Sequence, residues 1–407
     1  MRNLKRIFLD HASGCPVDAR VIKYMEELYD QRFGNPSSLH TFGLEARKTV
    51  EESRERVARL VGAGKREEIV FTSGATESNN LALIGYALRN KNGRRKIVVS
   101  KIEHISIMNV AKYLSKLGFE VAYAPVNEHG RVVLEKLDEI VDRNTLIVSI
   151  AYANGEIGTI QDIHAISDIV HAKGAILHSD GVPAVGRIPV NVELDRVDML
   201  TLSSNDIYGP KGVGALYIRT GTRIQPIIFG GGQERGLRSG TENVPAIAGF
   251  GMAAEITSKE WEWESERERQ IRDRLIDTLT LNIEQAYLNG HRTLRLPNNV
   301  SLRFIGIEGE SLVLNLDTYG IMASTGSACS SKTLEPSHVL MAIVPNEVEA
   351  HGSLMLTLGR DNRVEEVDWV STAIKDVVTK LRAMSPLWGK PLDLEKWRQR
   401  MEHKGGE

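Results

Sequence analysis

The sequence predicts an α/β fold, a large mostly parallel sheet flanked by helices and followed by a smaller α/β region. Three observations carry this. Between about residues 67 and 218 short apolar runs alternate with stretches of helical spacing, the mark of successive βαβ units with helices on both faces. The chain has 407 residues, enough for a large core and two domains. A long charged stretch at about 246–287, read as helix, then leads into a second set of strands and helices.

The elements follow in order. Residues 42–62 carry an apolar stripe, Leu44, Val50, Val57, Leu60 and Val61, at helical spacing. Strand candidates in the first region are 68–71, 96–100, 146–150, 175–178, 199–202 and 214–218, with helices near 77–92, 105–117 and 160–173. The second region offers strands at 299–304 and 354–358 and helices near 308–315 and 364–383. The expected division is 1–250 for the large domain, with its N-terminal segment crossing to the smaller one, 251–385 for the small domain, and a surface tail at 386–407. Sheets of this kind place ligands at the C-terminal ends of their strands.

Composition narrows the function. The chain is 42% apolar and 26% charged, with a formal net charge of −2. That balance argues against a nucleic-acid-binding or membrane-surface protein. The apolar stretch Ile7-Phe8-Leu9 is too short for a signal peptide, and no run approaches the ~18 apolar residues of a membrane span. Two cysteines, Cys15 and Cys329, cannot build a disulfide framework and fit a reducing cytoplasm.

Four segments carry candidate chemistry. Thr72-Ser73-Gly74-Ala75-Thr76 lies between a strand and a helix, where free N–H groups suit an anion; an ordinary helix cap reads the same way. Glu103-His104 follows one strand, and Asp180 ends another; a structural histidine and a capping carboxylate are the plainer readings. Cys329 lies in Ala323-Ser324-Thr325-Gly326-Ser327-Ala328-Cys329-Ser330-Ser331, whose small polar flanks favour exposure over the usual burial of a free cysteine. The segment Ser203-Ser204-Asn205-Asp206-Ile207-Tyr208-Gly209-Pro210-Lys211-Gly212 joins a buried strand to a glycine-bounded turn.

These segments resemble the cysteine desulfurases, the NifS-like branch of the class V aminotransferases, from about residue 8 to 383. The resemblance implies the type I fold of pyridoxal-phosphate (PLP) transferases and a homodimer. It implies that Ala75 and Thr76 contact the PLP phosphate, that His104 stacks on the ring, and that Asp180 pairs with the ring nitrogen, keeping the cofactor an electron sink. Ser203 and Asn205 join this cofactor shell, and Thr241 in Arg238-Ser239-Gly240-Thr241 reaches the neighbouring subunit's phosphate. Cys329 corresponds to the persulfide cysteine, on a loop that swings to a scaffold protein for iron–sulfur clusters.

The sequence departs from the family where the reaction is performed. Ser-Gly-His-Lys is Ser203-Ser204-Asn205-Asp206, so aspartate stands where the lysine forms its Schiff base with PLP. Gly155 replaces an amide that bonds the cofactor's phenolic oxygen, Pro183 removes a second amide, and Met355 replaces the arginine that grips the substrate carboxylate. Lysine to aspartate moves the local charge by two units, each worth roughly 3 kcal/mol at ~5 Å and an effective dielectric near 20. Lys211 belongs to the family pattern beside the catalytic lysine and is not expected to replace it. The primary expectation is an iron–sulfur assembly protein that docks a scaffold and uses Cys329 as persulfide carrier or 2Fe–2S ligand, without self-sufficient desulfurase activity and with PLP absent or non-covalent. The alternatives are an active desulfurase with altered cofactor binding and a structural subunit pairing with an active paralogue.

Overall fold

The computed structural model describes residues 6–91, 93–326, 336–344, 346–386 and 388–389. Its centre is a seven-stranded sheet built from β2 (Ile69–Thr72), β3 (Lys96–Ser100), β4 (Glu120–Ala124), β5 (Thr145–Ser149), β6 (Ile176–Asp180), β7 (Met199–Ser203) and β8 (Gly214–Ile218). The first strand of the chain, β1 (Ile7–Phe8), lies outside it. The spatial order is β2-β8-β7-β6-β5-β3-β4. From β4 to β7 every pairing is parallel; β8 runs antiparallel to both β7 and β2.

Helices cover both faces. They are α1 (Ala19–Asp30), α2 (Thr41–Leu60), α3 (Ala75–Arg89), α4 (Ile105–Lys116), α5 (Leu134–Ile140), α6 (Ile163–Ala172) and α7 (Val244–Asn282). On one face Val57 of α2 and Phe250 of α7 pack into a cluster with Phe71 and Tyr217 of the sheet. On the other, Leu81 and Leu83 of α3 and Ile107 and Leu114 of α4 meet Ile97, Val99, Ile147 and Leu216. Strands β2, β5, β7 and β8 are buried along their whole length, which accounts for their unbroken apolar runs.

A second core is built on β9 (Ala286–Leu288), β10 (Asn299–Phe304) and β12 (Ser353–Thr357), which form an antiparallel sheet in the order β12-β10-β9. The short β11 (Ile321–Met322) pairs in parallel with β1, so the start of the chain is bound into this region. The helices here are α8 (Gly309–Asp317), α9 (His338–Ile343), α10 (Glu347–His351) and α11 (Val367–Met384). Ile271 and Leu275 of α7 join Leu302, Phe304, Leu356 and Ile374 in its core, so α7 belongs to both hydrophobic centres.

Several features differ from the sequence reading. The helix expected to run to about 287 stops at Asn282, because Ile283 turns extended and buries its side chain, Gln285 takes a positive φ of 51°, and Ala286 begins β9. Strand β4 was not expected; it is an edge strand with two exposed residues and lacks a continuous apolar run. Helices α1 and α5 were also missed, since each buries too few apolar residues to mark a stripe. Of the tail expected at 386–407, only Pro386, Trp388 and Gly389 lie within the described residues, and the Arg382 guanidinium stands 3.8 Å over the Trp388 ring.

One buried ion pair positions the edge strand that leads into the candidate site. Arg54 of α2 donates to Glu234 at 2.6 and 2.7 Å and to the Ile69 carbonyl at 2.8 Å. Glu234 in turn accepts the Phe71 N–H at 2.8 Å, an edge donor with no neighbouring strand to receive it. Arg54→Ala would leave the Glu234 carboxylate buried and uncompensated, and is expected to cost about 3–5 kcal/mol. Urea unfolding of the variant measures this; a loss under about 1 kcal/mol would mean that the pair behaves as a surface bridge.

Candidate active site

The C-terminal ends of β2, β3, β6 and β7 open into one cavity of about 680 Å³, within the roughly 300–1,000 Å³ of small-molecule sites. The smaller region closes its far side with Ser324, Gly326, Ser337, His338 and Met355.

At one end lies an anion cradle. After β2 the chain turns through Gly74 at φ 152°, and α3 starts at Ala75 with no side chain capping it. The first N–H groups of a helix have no intrahelical acceptor, so those of Ala75, Thr76 and Glu77 are free to meet a phosphate. The Thr72 hydroxyl holds the turn, lying 2.8 Å from Ser78 Oγ and 3.2 Å from the Gly74 carbonyl oxygen. Glu77 accepts from Ser73 N at 2.9 Å and pairs with Arg238 at 3.0 Å, which brings a guanidinium to the edge of the turn.

Next to the cradle is a ring-sized polar shelf. Asp180 is buried at the end of β6, where it accepts from Val182 N and Asn79 Nδ2, both at 3.0 Å. The Asn79 amide also donates to Ser106 Oγ at 2.9 Å. His104 caps α4, its Nδ1 accepting from Ser106 N at 3.2 Å. Asn79 therefore couples Asp180 to the turn that carries His104. The sequence reading gave Asn79 no role, although it stands one helical turn beyond Ala75 and so on the same face.

Two further carboxyls were also passed over. Glu103 Oε1 accepts from Ser100 Oγ at 2.5 Å and Ala151 N at 3.1 Å, while Oε2 has no partner. Burial pushes Glu103 up to about 8. Glu156 accepts from Ser337 Oγ at 2.8 Å, its Oε1 has no partner among the described residues, and burial raises it to about 7.

The positions that depart from the family come together in this cavity. Asp206, Gly155, Pro183 and Met355 all line it. A Cβ on Gly155 would lie 3.5 Å from Pro183 Cγ, so the two lost amides concern one spot. Asn154 cannot stand in for them, because its amide donates to the Ile102 carbonyl at 2.7 Å and its oxygen accepts from Glu156 N and Ile157 N. The Ser203 hydroxyl donates to Asn205 Oδ1 at 2.8 Å, and Asn205 Nδ2 donates to Asp206 Oδ2 at 3.0 Å. Burial raises Asp206 to about 7; Asp180 reinforces this, whereas Ser203, Arg187 and Lys211 oppose it. The full two-unit charge reversal expected at this position is therefore corrected: near neutrality Asp206 carries only part of a negative charge.

No lysine is found among the described lining residues. Lys211 is exposed and lies outside the lining. Arg187 is the one guanidinium there, and it is bound to Glu268 at 2.7 Å. Arg360 is held away from the cavity by Asp18 and Glu264, each at 2.5 Å. Thr241 is exposed and not part of the lining. Cys329 lies outside the described residues. Cys15 is buried and pushed up to about 12 by burial, with its Sγ 3.6 Å from the Asp206 carbonyl oxygen; it stays a thiol.

This arrangement agrees with comparisons to known proteins. The family described as aminotransferase class-V matches residues 7–370. The chain is 58% identical to cysteine desulfurase IscS 1 of Archaeoglobus fulgidus, over 94% of this chain and 99% of that one. It is 46% identical to cysteine desulfurase IscS of Dictyoglomus turgidum, over 94% and 97%. A solved NifS-like protein superposes with a TM-score of 0.87 at 38% identity, covering 93% of this chain and all of that one. A NifS-like protein from Rickettsia africae does so at 0.83 and 31%, covering 92% and 100%. The chain belongs to the class-V aminotransferases, in their cysteine desulfurase branch. PLP is the family cofactor. The helix N-terminus would suit its phosphate and the Asp180–His104 pair its ring, and the same lining carries the Asp206 carboxyl. Among the described residues no helix is long and apolar enough to cross a membrane.

The raised Glu103 makes stability depend on pH. Folding keeps its proton while the unfolded chain releases it near the ordinary carboxylate value, so its contribution is complete at acid pH and is lost as pH rises through about 8. Across that window wild-type stability should fall by on the order of 1 kcal/mol per pH unit from this group. Glu103→Gln should flatten the slope. Denaturant unfolding at a series of pH values reads it, and an unchanged slope in the variant would show that Glu103 does not hold the proton.

Proposed function

We propose that this chain serves iron–sulfur cluster assembly by docking a scaffold protein and presenting Cys329 to it, without turning cysteine into alanine and persulfide by itself. The observation that carries this reading is Asp206, lining the cavity at the position of the family lysine, with no lysine among the described lining residues. The arginines support it as well. Grip on a substrate carboxylate needs a free guanidinium; Arg187 is committed to Glu268 and Arg360 to Asp18 and Glu264.

What these residues do here is bind and orient. The start of α3 holds an anion, Asp180 and His104 hold a ring, and burial holds Glu103, Glu156 and Asp206 toward their protonated forms. A homodimer belongs to the same reading, and the exposure of Thr241 suits a residue that acts on a neighbouring subunit. The intact cradle also supports a second reading, an active desulfurase with PLP bound non-covalently. An assay of L-alanine release from L-cysteine with added PLP, with and without scaffold, separates the two. The expected result is no release above the Cys329→Ser background; PLP-dependent release abolished by Cys329→Ser would sink the proposal.

Cys329 then acts as a thiolate. A 2Fe–2S cluster takes four protein ligands, and a scaffold offering three leaves one iron position for Cys329. Cys329→Ala should shorten the lifetime of a cluster assembled on the complex while docking affinity is unchanged, and Cys15→Ala should alter neither. Unchanged cluster lifetime and oxygen sensitivity in Cys329→Ala would leave sulfur carriage as the role of this cysteine.

A further inference from the structure

The cavity presents two carboxyls, from different strands, to a ligand seated on the α3 cradle. Asp180 ends β6 and Asp206 follows β7. A phosphorylated pyridine with a protonated ring nitrogen supplies one cationic group, which suits Asp180. The aldehyde of PLP, on the ring carbon opposite that nitrogen, supplies no second one. A primary amine there does.

We propose that this site binds pyridoxamine 5′-phosphate, the amine form, in preference to forms whose substituent at that position is uncharged, with the Asp206 carboxylate as counter-charge to the aminomethyl ammonium. The charge inventory of the cavity favours a cation at that end. Asp180 and Asp206 line it, and among the described lining residues the one guanidinium, Arg187, is already paired with the buried Glu268. Asp206 is also held in place. Asn205 Nδ2 bonds its Oδ2, and Asn205 is fixed in turn by the Ser203 hydroxyl. Burial raises the cost of ionising Asp206, and a bound ammonium removes that cost by pairing with the carboxylate. Gly155 and Pro183 leave the phenolic side of the ring without side-chain amides, so the preference rests on Asp206 rather than on the groups that the family uses. The proposal depends on the reading above that the phosphate and ring cradle persists without the lysine.

The test is isothermal titration of the full chain, dialysed free of bound vitamers, with pyridoxamine 5′-phosphate and with pyridoxine 5′-phosphate. The second compound has nearly the same shape but an uncharged hydroxymethyl in place of the aminomethyl, and neither can react with surface lysines as the aldehyde can. The amine should bind at least about tenfold more tightly than the alcohol, the worth of one charge-assisted hydrogen bond. Asp206→Asn keeps the shape and the acceptor for Asn205; it should weaken the amine about tenfold and change the alcohol less than about twofold. Equal affinity of the wild-type chain for amine and alcohol overturns the proposal while leaving the cradle in place. So does Asp206→Asn weakening both alike. Failure of both compounds to bind overturns the cradle reading beneath it. The wild-type ratio stands without any variant, so misfolding of Asp206→Asn cannot obscure the result.

Discussion

The chemistry of this protein collects in one place because its central strands have nowhere else to put polar groups. Strands β5 and β7 are buried end to end and β3 and β6 nearly so, with helices on both faces. A polar side chain in the middle of such a strand must find a partner inside, as His178 does between Ser149 and Thr201. At the C-terminal ends the chain leaves the sheet, and Asp180, Ser203, Glu103 and the Thr72–Ala75 turn emerge side by side. The direction of the strands therefore decides where a ligand can sit before any individual residue does.

Within that opening, hydrogen bonds to Asn79 set the spacing. Its single amide reaches both Asp180 and Ser106, so the second turn of α3, the end of β6 and the start of α4 are tied together. These bonds involve no lysine, so the frame stands on Asn79, Asp180 and Ser106 alone. Low dielectric does the rest. Glu103, Glu156 and Asp206 are each pushed toward neutrality by burial, so a cavity rich in carboxyls carries less charge than its composition suggests.

The departures at positions 155, 183, 206 and 355 belong to separate stretches of sequence, and only the folded chain brings them to one cavity. The contact between position 155 and Pro183 is the clearest case, since nothing in either stretch points to the other. The reverse holds for Thr241, whose segment matches the family well and yet lies on the surface away from this cavity.

Read alone, the sequence determined the α/β class, the strands at 96–100, 199–202 and 214–218, and the identity of the aspartate at 206. It could do so because buried parallel strands leave apolar runs and a substitution inside a known motif is a local fact. It did not reveal β4, whose exposed edge blurs the apolar pattern, nor the end of α7, where a left-handed Gln285 rather than any helix breaker reverses the chain. The tertiary structure alone decided the charge of Asp206, the commitment of Arg187 to Glu268 and the bridging role of Asn79. Protonation and pairing depend on burial and on partners far away in the chain, and neither is written in the order of residues.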